Sequence, residues 1–251
     1  MMNFGKRYQK IAKRLARIEQ PDVSIVESTF LGNRESDFVT ISSYQRLTNR
    51  HRHFICSSID QKHQVVDVVE VSFHGEPSDC NVFQRICQES WLSSQTGHPK
   101  LETIAGNVPA NKSTLFVKGL SLNLFEHTRG QIHCHFSAAT IDCSQQKVYL
   151  STSKPSRIYL VSVAGNISGV DYLHASSKIG HESVHIDVTM LTLVGTRAIA
   201  FFENQVHASI FQQMVYTLID KPYPKNGVAE LLHYSLASKS RIRTGIVWVD
   251  M

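Results

Sequence analysis

The sequence predicts an α+β fold, a mostly antiparallel β-sheet core with two or three packed helices and a basic amphipathic N-terminal helix. Three observations lead to it. Apolar and polar residues alternate with period two through much of the chain, three segments switch to a helical period, and the net positive charge sits on one short N-terminal stretch. The domain reading follows: a basic arm over 1–20 and a single β-rich core domain over 21–251.

The arm reads as a helix because Phe4, Tyr8, Ile11, Leu15 and Ile18 recur at alternating spacings of four and three, which places them in one stripe. Pro21 ends it, having no N–H to continue the ladder and disfavouring helix at Gln20. Strands come next. Val69, Val71 and Phe73 alternate with polar residues, as do Leu120, Leu122 and Leu124; Ile132, Cys134 and Phe136; and Val184, Ile186, Val188 and Met190. Each set fits a half-buried strand with one solvated face. Further strands are predicted near 146–152 and 157–164, parted by a turn at Lys154-Pro155.

Two inner segments read as helices. Ser78-Asp79 provides an N-cap for a helix whose face is Val82, Phe83, Ile86, Cys87 and Trp91. A longer stripe of Ile199, Phe202, Val206, Ile210, Met214 and Leu218 ends before Pro222 and Pro224. A short helix over 228–237 and a last strand over 242–249 complete the chain, and 94–114 is a polar loop with Gly97, Pro99, Gly106 and Pro109.

Charge localisation guides the functional reading. Lys6, Arg7, Lys10, Lys13, Arg14 and Arg17 face only Glu19 within the first 20 residues, so the arm carries the whole net charge of +5 and the rest is formally neutral. Solvated surface is the ordinary meaning of such a run; concentration on an amphipathic helix points instead to docking on an anionic membrane surface or on RNA. Arg46, Arg50 and Arg52 form a secondary basic patch, equally explained as a charged strand edge. The five cysteines have no framework spacing, and the basic N-terminus is not followed by the roughly 7–15 apolar residues of a secretory signal. With no apolar run near the ~20 residues of a bilayer span, the expectation is an intracellular chain of cytoplasm or nucleus whose membrane contact is peripheral.

Motifs for chemistry are few. His51, His53, His133 and His135 put two imidazoles on each of two strand faces and are the candidate ligands for a metal-dependent enzyme; alternating histidines on a polar face explain them as well. Ser151 and Lys154 have serine acyl-transferase spacing, but Pro155 and the strand pattern before it deny the helix that chemistry needs. Gly165-Asn-Ile-Ser168-Gly169 misplaces the serine for a nucleophile elbow, and no phosphate-cradling glycine loop occurs. The expectation is a non-enzymatic protein without a cofactor or small-molecule substrate.

The order of elements resembles that of rhabdovirus matrix proteins. It consists of a basic arm, a strand at 68–73 feeding a helix at 82–91 that contains Trp91, a strand at 184–194 feeding a helix at 199–218, and a closing strand containing Trp248. The resemblance implies a viral structural protein of the virion that self-assembles as a homo-oligomer. It also implies binding of the inner membrane leaflet or the nucleocapsid through the arm. Tyr44-Gln-Arg-Leu47 has the form of a budding tetrad, and the family's proline-rich motif is absent. A viral movement or RNA-binding protein using the same arm is the alternative.

Overall fold

The computed structural model describes residues 34–35, 38–44, 50–95, 112–154, 157–171, 176–202, 208–219, 232 and 246–251. The N-terminal arm, Arg46, the helix expected over 228–237 apart from Leu232, and most of the loop expected over 94–114 lie outside them.

Two antiparallel sheets form the body. Strands β3 (His51–Asp60), β4 (Val65–His74), β5 (His135–Asp142), β6 (Lys147–Thr152) and β9 (Thr189–Thr192) make a five-stranded sheet in that order. The six-stranded sheet runs β1 (Arg34–Glu35), β2 (Thr40–Tyr44), β11 (Ile246–Asp250), β10 (Thr196–Phe202), β7 (Arg157–Ser162), β8 (Ile167–Asp171). Three described helices accompany them: α1 (Pro77–Gln95), α2 (Lys112–Thr128) and α3 (Ala208–Ile219).

Strand β4 lies inside the five-stranded sheet, between β3 and β5, and carries apolar residues on both faces. Val69, Val71 and Phe73 pack with Cys56 beneath Phe83, Ile86 and Cys87 of α1 and Val117, Leu120 and Leu124 of α2. Val66 and Val68 face the other way, joining Ile55, Ile141, Val148 and Leu150 against Ile41, Ile158, Ile199, Phe201, Val247 and Val249 of the second sheet. On that sheet's outer face Tyr159 meets Phe211 of α3, ring centroids 4.4 Å apart. The layers are helix, sheet, sheet, helix.

One buried carboxylate ties the layers together. Asp67 accepts hydrogen bonds from the Thr140 hydroxyl at 2.6 Å, the Ser113 backbone N–H at 3.3 Å and the Ser58 hydroxyl at 3.3 Å. Ser113 lies in the first turn of α2, so a negative charge from β4 sits where that helix presents unpaired N–H groups.

The α+β antiparallel core is as expected, but several elements differ. Leu120, Leu122 and Leu124 belong to α2, where Phe116, Val117, Leu120 and Leu124 form a helical stripe and Leu122 is only half-buried. Residues 197–202 form β10 rather than the start of a helix, because Ala198 to Phe201 are buried on both faces and a continuous apolar run carries no period. Residues 184–188 form no strand; pairing begins at Thr189. Helix α1 begins at Pro77, whose fixed φ and missing N–H suit a first turn, and the Cys80 N–H already reaches the Glu76 carbonyl at 2.9 Å.

Candidate functional site

Register builds the site. On the face of the five-stranded sheet that meets the other sheet, residues align in rows across β3, β4, β5 and β6. The rows run Ile59, Val66, Ile141, Val148; then Ser57, Val68, Ala139, Leu150; then Ile55, Glu70, Ser137, Thr152. Beyond them come His53, Ser72, His135 and finally His51 with His74. The intersheet face is therefore apolar at one end and polar at the other. Glu70 and Ser137 mark the change, lining a narrow crevice with Val68, Ala139, Phe201 and Val247. Strand β6 finishes at this end, and β7 of the other sheet is the next strand in sequence.

The innermost polar contact is His53 Nε2 to Glu70 Oε1, 2.9 Å, with side chains 0% and 3% exposed. A pair so enclosed reaches no solvent, and its close approach bridges β3 and β4. At the rim His51 and His74 lie 6.3 Å apart between ring centroids.

A segment over 176–187 straps the end of the sheet where β5 starts. Cys134 and Ile179 exchange both backbone hydrogen bonds, at 3.0 and 3.1 Å. Gly180 has φ +104°, and a Cβ there would collide with the Ile132 carbonyl oxygen, so only glycine lets the strap lie so close. Ser121 of α2 locks it: its Oγ accepts from the Gly180 N–H at 3.0 Å and donates to the His181 carbonyl at 2.9 Å. The Ser176 N–H bonds the Thr152 carbonyl at 2.6 Å.

The strap brings His181 onto His133, stacked with centroids 4.3 Å apart, and sets Lys178 where its charge acts on His133 and His135. Burial pushes both imidazoles below the usual histidine range. For His133 the neighbouring His181 and Lys178 push the same way, and for His135 Lys178 and Lys154 do. His135 Nδ1 lies 3.3 Å from the Ser153 hydroxyl. The result is neutral imidazoles beside ammonium groups. Burial also raises the thiols of Cys80, Cys87 and Cys134 and, with Asp142, lifts Cys143 to about 11, so none of these four is prepared as a nucleophile.

Of the residues singled out in the sequence, His51, His53 and His135 share the intersheet face, while His133 joins His181 instead. Arg50 meets Glu76 at 3.8 Å on the surface, and Arg52 reaches Asn81 of α1 at 3.4 Å. The six arm residues lie outside the described residues. Sequence reasoning missed Glu70, Ser72, His74 and Lys178. The polar alternation of 70, 72 and 74 was visible, but nothing in it named the strands alongside.

No protein-family model matches the chain, and no curated protein matches it. Solved structures do. RsbX in complex with magnesium superimposes with TM-score 0.54 at 10% identity, covering 87% of this chain and 97% of that one. A serine/threonine phosphatase of S. agalactiae gives 0.55 at 11%, covering 85% and 100%. The PP2C phosphatase domain with a regulatory fragment of SpoIIE from Bacillus subtilis gives 0.53 at 10%, covering 84% and 63%.

The likeness establishes the fold and corrects the functional expectation. The architecture is that of PP2C-type phosphatases, not of rhabdovirus matrix proteins. The expectations of a non-enzymatic, self-assembling viral protein, of a membrane or nucleocapsid partner and of no substrate fall with that resemblance. The physical reason is visible in the elements. The second strand-to-helix step was misplaced, since 197–202 is a sheet strand, and a strand feeding a helix is shared by many folds. No described helix is long and apolar enough to cross a membrane.

Proposed function

We propose that this chain is a phosphatase-fold enzyme that removes the phosphoryl group from phosphorylated serine or threonine in a protein partner, working at the polar end of the paired sheets. The observation that carries the reading is the likeness over 84–87% of the chain to structures named as serine or serine/threonine phosphatases or their PP2C domains. The polar rows lie at one end of the paired sheets, where β6 finishes and β5 begins. The core over 21–251 is proposed as one domain, with the arm over 1–20 an appendage to it.

Phosphoryl transfer asks the protein chiefly for positioning and for charge that answers the phosphate oxygens. Lys178 and Lys154 supply such charge, and His133 and His135, kept neutral, can each donate or accept a hydrogen bond or proton. Magnesium, present in the RsbX structure, takes oxygen ligands in an octahedron. The described residues do not fit it. The polar end offers imidazoles around one buried carboxylate, Glu70, which already faces His53, and no three described His, Cys, Asp or Glu side chains are grouped to hold an ion.

Incubating the full chain with phosphoserine and phosphothreonine peptides, once with magnesium or manganese and once with EDTA, tests the reading through inorganic phosphate. Release above the uncatalysed rate in either condition is expected. A folded chain that releases none in both overturns it.

A further inference from the structure

Resting on that reading, we infer that Lys178, His181 and His133 form a phosphate-monoester binding site that works without a divalent ion. The strap supplies the geometry. Two backbone hydrogen bonds between Cys134 and Ile179 set Lys178 and Gly180 on either side of the bridge, opposite His135 and His133. Ser121 fixes the next residue, His181, through its carbonyl, and the His181 ring stacks on His133. Such anchoring of the strap backbone keeps the three residues close together before a ligand arrives.

The charge around the strap favours a dianion. Lys178 is exposed and has no acidic partner among the described residues, and the charge of Lys154 also acts on His135. Of the strap's two acids, Asp187 is engaged by His185 at 2.8 Å, and Glu182 points into solvent. Nitrogen donors dominate the cluster, a set that suits phosphate oxygens and not magnesium. The same chemistry would recognise inorganic phosphate or the phosphoseryl group of a protein, and size distinguishes them. A phosphopeptide adds contacts beyond the phosphate, so it should bind more tightly than the free anion.

Isothermal titration of the full chain in EDTA and again with magnesium, with inorganic phosphate and separately with a phosphoserine peptide, tests the site, while phosphate release with magnesium is followed in parallel. Binding in EDTA is expected, weakened about tenfold or more by Lys178→Ala and by His181→Ala, the scale of losing one charge-assisted hydrogen bond. Lys62→Ala, in the exposed turn between β3 and β4 at the opposite end, should leave it unchanged. Circular dichroism of each variant confirms folding. Binding that appears only with magnesium, or that survives both site substitutions, overturns the inference and leaves the phosphatase reading standing. Absence of binding together with absence of phosphate release overturns both.

Discussion

Replacing Gly180 by alanine should both destabilise the protein and empty the site, and the two effects can be worked from the structure. Gly180 sits at φ +104°, where an L side chain is strained by roughly 1–2 kcal/mol. The added Cβ also collides with the Ile132 carbonyl, which is backbone and cannot swing aside. Relief requires the strap to lift from the start of β5. That breaks the two Cys134–Ile179 hydrogen bonds and the two made by Ser121, each contributing about 1 kcal/mol net. Partial lifting lets water satisfy some of these groups, so the expected loss is about 2–4 kcal/mol. Urea denaturation reads it as a lower midpoint at unchanged slope. Phosphate affinity should fall further than stability does, because lifting separates His181 from His133 even in molecules whose core stays folded. Ser121→Ala, which removes only the lock, should show the same pattern at about 1–2 kcal/mol. A Gly180→Ala protein with its midpoint and its phosphate affinity both intact would refute the clamped strap.

Other consequences are open to direct measurement. Asp67→Ala leaves Thr140, Ser113 and the start of α2 without their acceptor and should cost about 3 kcal/mol or more in chemical denaturation; a change under about 1 kcal/mol would contradict its tying role. His133 and His135 have folded pKa values below the ordinary 6.5, so the unfolded chain binds their protons more readily. Their contribution to stability is complete above about pH 6.5 and is lost as the pH falls through that value towards the lower folded ones. Thermal melts from pH 7.5 to 5 should show the decline, and His133→Gln with His135→Gln should flatten it. Among the cysteines Cys143 is half-buried and the other four are buried, so a thiol reagent at pH 8 should label Cys143 first in the native protein and all five only in denaturant.

The sequence by itself determined the kind of fold. Alternation at 69–73, 146–152 and 157–164 and the apolar stripe from Val82 to Trp91 are local periodicities, and a side chain's face within one strand or helix is a local property. It went astray where locality gives no answer: 197–202 is apolar without a period, and three leucines of α2 imitate a strand. Only the tertiary structure decided the site. His53, Ser72 and His135 lie 19 and 63 positions apart in sequence, and they become neighbours because β4 pairs with β3 on one side and β5 on the other in one register. The strap that carries Lys178 and His181 depends likewise on a single bridge and one close-packed glycine. Register and sheet order minimise the free energy of the whole packed core, so no short window of residues encodes them.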